Sequence, residues 1–141
     1  MCPPTSTLTS ISKGVYVLAI AVRRDVTVNV GALEEVCFEK GLYAYVGSAQ
    51  KDLKKRVERH LRKIKRRFWH IDYFLGNDAV RVQTVFRKEA GKADECQIAQ
   101  ALDETGSPMK GFGSSGCHCM SHLFKVEEYQ FLSETMHEVR L

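Results

Sequence analysis

The strongest constraint on the fold is an apolar segment near the start of the chain, Gly14–Val22. Its residues are apolar at both odd and even positions (GVYVLAIAV). A strand with two apolar faces must be covered on both sides, so this pattern is typical of a central strand in a layered domain. The longest apolar run, Val15–Val22, has eight residues, far fewer than the roughly 20 that a membrane-spanning helix needs. The sequence predicts a domain built around this strand.

Two further segments predict neighbouring strands. Val26–Val30 alternates in β-branched residues and is expected to form a hairpin with the first strand, and Gly41–Gly47 predicts a third short strand. We expect residues 14–47 to form a small antiparallel sheet. The chain has 141 residues, of which 44% are hydrophobic and 27% charged, which fits one globular domain. Residues 1–12 predict a flexible tail, and residues 13–141 a single domain.

The periodicity changes after Gly47. Apolar residues now recur every three or four positions, at Leu53, Val57, Leu61 and Ile64. This spacing predicts an amphipathic helix from about residue 50 to 66. Arg56 and His60 lie one turn apart at the edge of its apolar face, where they are separated from the other basic residues.

The second half of the chain predicts a further helix and more strands. The expected elements are a strand or short turn at Phe68–Leu75, a strand at Val80–Phe86, a helix at Asp94–Thr105, a loop at Gly106–Gly116, a last strand at His122–Val126 and a final helical turn in the acidic tail. Asp94 is a candidate N-cap for the second helix. Together these elements predict an α+β domain, with a small mixed or antiparallel sheet flanked by helices.

Positive charge is concentrated in one segment, residues 51–70. It contains ten Lys and Arg residues and two acidic residues, a net charge of +8, whereas the whole chain carries +4. Such a segment favours a polyanion partner, most simply nucleic acid, although a solvated helix face would have the same composition. The predicted nucleic-acid contacts are Lys51, Lys54, Lys55, Arg59, Arg62, Lys63, Lys65, Arg66 and Arg67.

The five cysteines do not suggest a disulfide framework. Their number is odd and no secretory signal precedes them, so we expect reduced thiols and a cytoplasmic protein without a membrane partner. Cys117, Cys119 and His122 are three candidate zinc ligands, which Cys96 or His70 would complete. Because a one-residue gap between zinc-binding cysteines is unusual, we favour small buried thiols in a glycine-rich loop.

Several short motifs stand in order along the chain. They are Gly14-Val15-Tyr16, the segment Gly41–Ala49 with Tyr45-Val46-Gly47, the basic Leu53-Lys54-Lys55-Arg56-Val57, Trp69-His70-Ile71-Asp72-Tyr73, Gly111-Phe112-Gly113-Ser114-Ser115 and the Cys-x-Cys-x-Ser-His-Leu string of residues 117–123. In this order they resemble the GIY-YIG nuclease superfamily and, within it, a mainly archaeal branch. The likeness covers roughly residues 13–126.

The resemblance implies a GIY-YIG-like fold and hydrolysis of phosphodiesters with one divalent metal ion, Mg²⁺ or Mn²⁺. The residues that match the superfamily's catalytic set are Tyr16, Tyr45, Arg56, His60 and Glu95. Glu95 would hold the metal, and Arg56 presents a planar, permanently charged fork to phosphate. Ser48 stands where many members have a lysine, which removes one group that would lower a tyrosine pKa.

Residue spacing leaves the role of Glu95 open. It begins the apolar face of the second predicted helix, three, four and seven residues before Ile98, Ala99 and Leu102. An unpaired carboxylate is costly to bury there, so either a metal site or a buried ion pair with Arg56 would explain it.

Three functions follow from these features. The leading hypothesis is a metal-dependent endonuclease acting on DNA rather than RNA, guided by DNA structure in repair or recombination. The alternative is a non-catalytic nucleic-acid-binding module with the same fold, since Ser48 replaces the lysine and no separate recognition domain is evident. A zinc-stabilised interaction domain is the third.

Overall fold

The computed structural model describes residues 14–31, 34–49, 53–62, 70–89, 92–109, 112, 121–134 and 136–139. The predicted tail, residues 1–12, lies outside them. The strands are β1 Gly14–Val22, β2 Val26–Asn29, β3 Glu35–Phe38, β4 Gly41–Ala49, β5 Val80–Lys88, β6 Ser107–Pro108, β7 Leu123–Val126 and β8 His137–Val139. The helices are α1 Leu53–Leu61, α2 His70–Leu75 and α3 Lys92–Thr105, and a 3₁₀ helix spans Gln130–Glu134. The fold class is therefore α+β, as predicted.

Strand β1 is central, as its two apolar faces predict. Six strands form one antiparallel sheet in the order β6-β7-β4-β1-β5-β8. Along β1, Tyr16, Leu18 and Ile20 belong to one buried cluster, and Val15 and Val17 belong to another. The sheet therefore separates two apolar cores, which we call the first and second faces.

The helices cover opposite faces of this sheet. Leu53 and Val57 of α1 pack on the first face together with Phe74 of α2. Ala99 and Leu102 of α3 pack on the second face. A functional site that contains residues of both α1 and α3 must therefore lie where the two faces meet, at the end of a strand.

The predicted hairpin between β1 and β2 is wrong. Strand β2 pairs antiparallel with β3, Val26 opposite Phe38, in a separate two-stranded ribbon. Both edges of β1 are occupied along its length by β4 and β5, so β2 has no free edge to join. Strand β3 was not predicted because Glu35–Phe38 is short and does not alternate clearly.

The predicted strand or turn at Phe68–Leu75 is a helix over its described part, His70–Leu75. Ile71, Phe74 and Leu75 are buried at helical spacing, a pattern that the aromatic content obscured. Asp94 is not an N-cap, because α3 begins two residues earlier, at Lys92.

The C-terminal region contains more sheet than expected. Within the predicted loop Gly106–Gly116, Ser107–Pro108 forms the short strand β6, which pairs with β7. Strand β7 is followed by the predicted helical turn, here the 3₁₀ helix Gln130–Glu134, and then by β8, which pairs with β5. Among the helices described, none has the length and apolar character needed to cross a membrane.

Candidate active site

Helix α1 presents a polar edge to the first face of the sheet. The Tyr16 hydroxyl lies 2.7 Å from His60 Nε2, and both side chains are buried. The Tyr45 ring meets the same imidazole edge-on, with 5.9 Å between ring centroids. Arg56 precedes His60 by one helical turn and is close enough for its charge to lower the pKa of Tyr16. The predicted helix edge therefore brings Tyr16, Tyr45, Arg56 and His60 together.

Gly47 allows the Tyr16 phenol to occupy this position. The two residues are directly opposed in the β1–β4 pairing. A Cβ atom on residue 47 would lie 2.9 Å from Tyr16 Cε2 and closer still to Cζ and the hydroxyl. A glycine is therefore needed for the phenol to lie across β4 and reach His60.

Ser48, the next residue of β4, connects Arg56 to Glu95. Arg56 Nη1 donates to the Ser48 carbonyl at 3.0 Å, and the Ser48 hydroxyl donates to Glu95 Oε1 at 2.8 Å. The other carboxylate oxygen, Oε2, lies 3.2 Å from His122 Nδ1. Glu95 and His122 are both buried. Ser48 is thus a bridge between two predicted site residues.

Glu95 reaches this position from the second face. Its helix, α3, packs through Ala99 and Leu102 against strand residues such as Val46, and the Ser48 side chain shares the face of Val46 by strand alternation. The phenols lie on the first face. Glu95 therefore approaches the other site residues at the end of β4, instead of across one open face.

Burial and the Glu95 charge both act on the phenols. Burial is the main reason that the pKa of Tyr16 lies well above its usual value, with Tyr45 and Glu95 adding to the rise and Arg56 opposing it. The pKa of Tyr45 is also raised, by burial first and then by Glu95 and Asp72, again against Arg56. Both tyrosines are therefore neutral near pH 7, and Glu95 is near enough for its charge to act on each.

The predicted nucleic-acid contacts fall into three groups. Lys55 is exposed on α1, and Arg62 is exposed directly after the end of that helix. Arg59 makes a two-pronged ion pair with the fully buried Asp72 of α2, both N–O distances being 2.9 Å. Its role as a nucleic-acid contact stays a prediction. The remaining positions lie outside the described residues: Lys51, the side chain of Lys54, Lys63, Lys65, Arg66 and Arg67.

The candidate zinc ligands are not brought together in the described structure. Cys117 and Cys119 lie outside it, as does the side chain of His70. His122 is bonded to the carboxylate described above, and Cys96 is a partly exposed free thiol. No cluster of three or more His, Cys, Asp and Glu side chains able to hold a metal ion occurs in the ranges that the structure describes.

Two residues near the site, Asp72 and Arg87, were not predicted from the sequence. The contacts of a third, Ser48, were not predicted either. Asp72 was assigned to a strand or turn, and only a helical interpretation of its segment would have placed it opposite α1. Arg87, a buried arginine on β5, directly follows the predicted strand Val80–Phe86, and no pattern in the sequence marked it. Ser48 was noted for what it replaces, whereas its bonds could not be inferred without the structure.

Comparison with known proteins gives one result. A family model described as Domain of unknown function DUF123 matches residues 15–140. No curated protein and no solved structure matches the chain. The resemblance to GIY-YIG nucleases therefore stays a prediction.

Proposed function

We propose that this chain, which belongs to the DUF123 family of domains, is a divalent-metal-dependent endonuclease that hydrolyses phosphodiester bonds in DNA. The observation that carries the proposal is the convergence at the end of β4. There Arg56 bonds Ser48 and its charge acts on Tyr16, Ser48 bonds Glu95, and the Tyr16 hydroxyl bonds His60. A permanent cation, a buried carboxylate and a hydroxyl–imidazole pair are the groups that phosphodiester hydrolysis needs.

The donor set fits a hard divalent cation. Oε1 of Glu95 accepts from Ser48 and Oε2 lies beside His122, and an ionised carboxylate offers about four lone-pair sites. The carboxylate can therefore bind a cation without losing those contacts. Mg²⁺ and Mn²⁺ suit such a site because they accept one protein carboxylate, with waters and substrate phosphate as the other ligands. A bound cation would polarise the phosphoryl group and acidify a coordinated water.

Arg56 is the residue that we assign to the scissile phosphate. Its guanidinium keeps its charge and can donate to two non-bridging oxygens at once. Its bond to the Ser48 carbonyl fixes one nitrogen, Nη1, which orients the planar group. Charge that develops on the phosphate in the transition state is then stabilised by a donor already in place, an effect usually worth about 10²–10³ in rate.

Tyr16 and His60 are the pair that we assign to proton transfer. The raised pKa of Tyr16 opposes a free phenolate, so the phenol is a poor base by itself. In the tautomer whose Nε2 carries no proton, the Tyr16 hydroxyl, 2.7 Å from that nitrogen, can pass its own proton to the imidazole while taking one from the attacking water. This relay leaves the phenol neutral and makes His60 the final proton acceptor.

The test is cleavage of a panel of single-stranded, duplex, flapped and branched DNA by the purified full chain in Mg²⁺ or Mn²⁺. Wild-type protein should cut at least one substrate. Glu95→Gln, which keeps the size and the Ser48 bond but removes the charge, should lower the rate by at least about a hundredfold, and Arg56→Lys by a similar factor. Cutting that Glu95→Gln leaves unchanged would contradict the proposed role of Glu95 in this reaction.

The second candidate is a nucleic-acid-binding module without catalysis. It is favoured by the contacts that Glu95 already makes and by the raised pKa of both tyrosines. In that case the chain would bind the DNA panel in a salt-dependent way and cut none of it in either metal.

A further inference from the structure

Arg87 is a buried cation beside the candidate active site that the predicted catalytic set does not include. It lies on β5 with 5% of its surface exposed. In the β1–β5 pairing it is directly opposite Tyr16. Directly opposed residues in antiparallel strands have Cα atoms about 4.5–5.5 Å apart and side chains on the same side of the sheet. The register therefore places Arg87 next to Tyr16.

The alternation of β5 gives the same side independently. Val85, two residues earlier, belongs to the first-face cluster, and Phe86 belongs to the second-face cluster. Arg87 must then share the face of Val85. That is the face that carries Tyr16 and Tyr45, so the strand positions form a row from Gly47 through Tyr16 to Arg87.

The surroundings of Arg87 do not balance its charge. Its Nε is buried and has no hydrogen-bond partner among the residues described. Burial lowers the pKa of Arg87, and the carboxylate whose charge opposes this is that of Glu89, an exposed residue two positions along the strand. An arginine cannot escape the cost of burial by losing its proton. The fold therefore retains a guanidinium whose buried Nε donor is unused.

We propose that Arg87 binds a backbone phosphate of the nucleic acid next to the one that Arg56 binds. The proposal rests on the proposed function, because it takes the substrate to be a nucleic-acid strand lying over Tyr16. A phosphodiester supplies what Arg87 lacks: a charge of opposite sign and oxygen acceptors that match the guanidinium fork. Two arginines on either side of Tyr16 would hold successive phosphates and set the strand in line with the scissile bond.

The experiment measures binding separately from cutting. Affinity of the full chain for a fluorescent 20-base-pair DNA duplex is measured by anisotropy in EDTA over a salt series, for wild type and Arg87→Gln. Loss of one phosphate contact should make the slope of log affinity against log salt less negative by about 0.9. Affinity should fall roughly ten- to a hundredfold, as expected for a lost charge-assisted hydrogen bond.

Arg81→Gln is the matched control. Arg81 is an exposed arginine on the same strand, and its neighbours Val80 and Val82 pack on the first face, so its own side chain is on the other side. The Arg81→Gln substitution removes the same charge from the chain as Arg87→Gln does. This variant should leave the affinity and the salt slope nearly unchanged, whereas equal effects of both substitutions would overturn the proposal.

Thermal unfolding separates a binding role from a packing role. Because Arg87→Gln removes a poorly compensated buried charge, its melting temperature should equal or exceed that of wild type. A lower melting temperature with an unchanged salt slope would overturn the proposal. If the Gln variant does not fold, Arg87→Lys replaces it. Lysine keeps the positive charge but not the guanidinium fork, so this variant should keep the salt slope and bind several-fold more weakly. Unchanged affinity would overturn the proposal.

The outcomes distinguish this inference from the proposed function. A wild-type protein that does not bind the duplex contradicts both. If wild type binds and Arg87→Gln flattens the slope but no substrate is cut, the phosphate contact stands and the endonuclease proposal fails. If wild type cuts and Arg87→Gln binds like wild type, the endonuclease proposal stands and the role of Arg87 is wrong.

Discussion

The glycine at position 47 leaves the space that the Tyr16 phenol occupies. Gly47 and Tyr16 are opposed across β1 and β4, and a Cβ on Gly47 would occupy the space of the phenol. The phenol in turn is held 2.7 Å from His60. The geometry of the proposed proton-transfer pair therefore depends on a residue to which the proposal gives no chemical role.

Gly47→Ala tests this dependence. The added methyl group should push Tyr16 away from His60, cost about 1–3 kcal/mol in unfolding free energy through overpacking, and lower the cleavage rate at least tenfold. Tyr16→Phe is the control, since it loses the hydroxyl but not the ring and should cost only about 1 kcal/mol. The measurements are chemical unfolding and cleavage of the same DNA substrate. Unchanged cleavage by Gly47→Ala would contradict the account.

The raised pKa of Tyr45 makes a prediction about stability at high pH. Its phenol stays protonated in the folded protein, where burial and then Glu95 raise the pKa, but ionises in the unfolded chain at about pH 10. Above that pH the unfolded state binds fewer protons, so unfolding becomes more favourable as pH rises. The stabilisation is complete below pH about 10 and is lost through the folded pKa.

Tyr45→Phe isolates that contribution from the other groups that titrate. The difference in unfolding free energy between wild type and Tyr45→Phe should be constant from pH 7 to about pH 9. Above about pH 10 wild type should lose stability relative to Tyr45→Phe. Urea unfolding at several pH values measures it. A difference that does not change with pH would mean that Tyr45 is not in the buried environment described.

Helices α1 and α2 are joined by an ion pair between Arg59 and Asp72. Arg59 donates through two nitrogens to both oxygens of Asp72, whose side chain is fully buried. Because His60 follows Arg59 directly, the ion pair anchors the helix that carries the imidazole. The basic composition of α1 therefore has a structural component as well as a surface charge.

Arg59→Gln should cost about 3–5 kcal/mol in unfolding free energy, since it leaves the Asp72 carboxylate buried without its cation. Asp72→Asn should cost less, because Arg59 is partly exposed and can turn to water. Chemical unfolding of both single variants and the double variant measures the coupling. If the two single effects simply add, the ion pair has no net role in joining the helices.

Prediction from sequence succeeded where a residue pattern reports a single environment. The two apolar faces of Gly14–Val22 required cover on both sides, and α1 and α3 provide it. The ribbon of β2 and β3 was mispaired because alternation identifies a strand but not its neighbour. Helix α2 was missed because six residues are too few to establish a helical period.

The same reasoning explains what was found of the candidate site. Arg56 and His60 were identified from their place on the helix edge, and the structure brings them to Tyr16. Asp72 and Arg87 were missed because their environments depend on pairings far apart in the chain. Arg59 lies opposite Asp72, and Tyr16 lies opposite Arg87.

At the scale of the whole molecule, the sheet separates the catalytic candidates into two groups. The phenols, Arg56 and His60 lie on the first face, and Glu95 arrives with α3 from the second. Ser48, at the end of β4, connects them: its carbonyl accepts from Arg56 and its hydroxyl donates to Glu95. The proposed function requires that the site around Ser48 binds a divalent cation and a phosphate together.

The most direct test is the anomalous scattering of Mn²⁺ in crystals of the full chain grown with the metal. The account predicts a peak within about 2.5 Å of a Glu95 carboxylate oxygen, on the side of Ser48 that faces Tyr16 and Arg56, and its loss in Glu95→Gln crystals. A well-ordered Glu95 that keeps its bonds to Ser48 and His122 while Mn²⁺ binds elsewhere, or not at all, would contradict the claim.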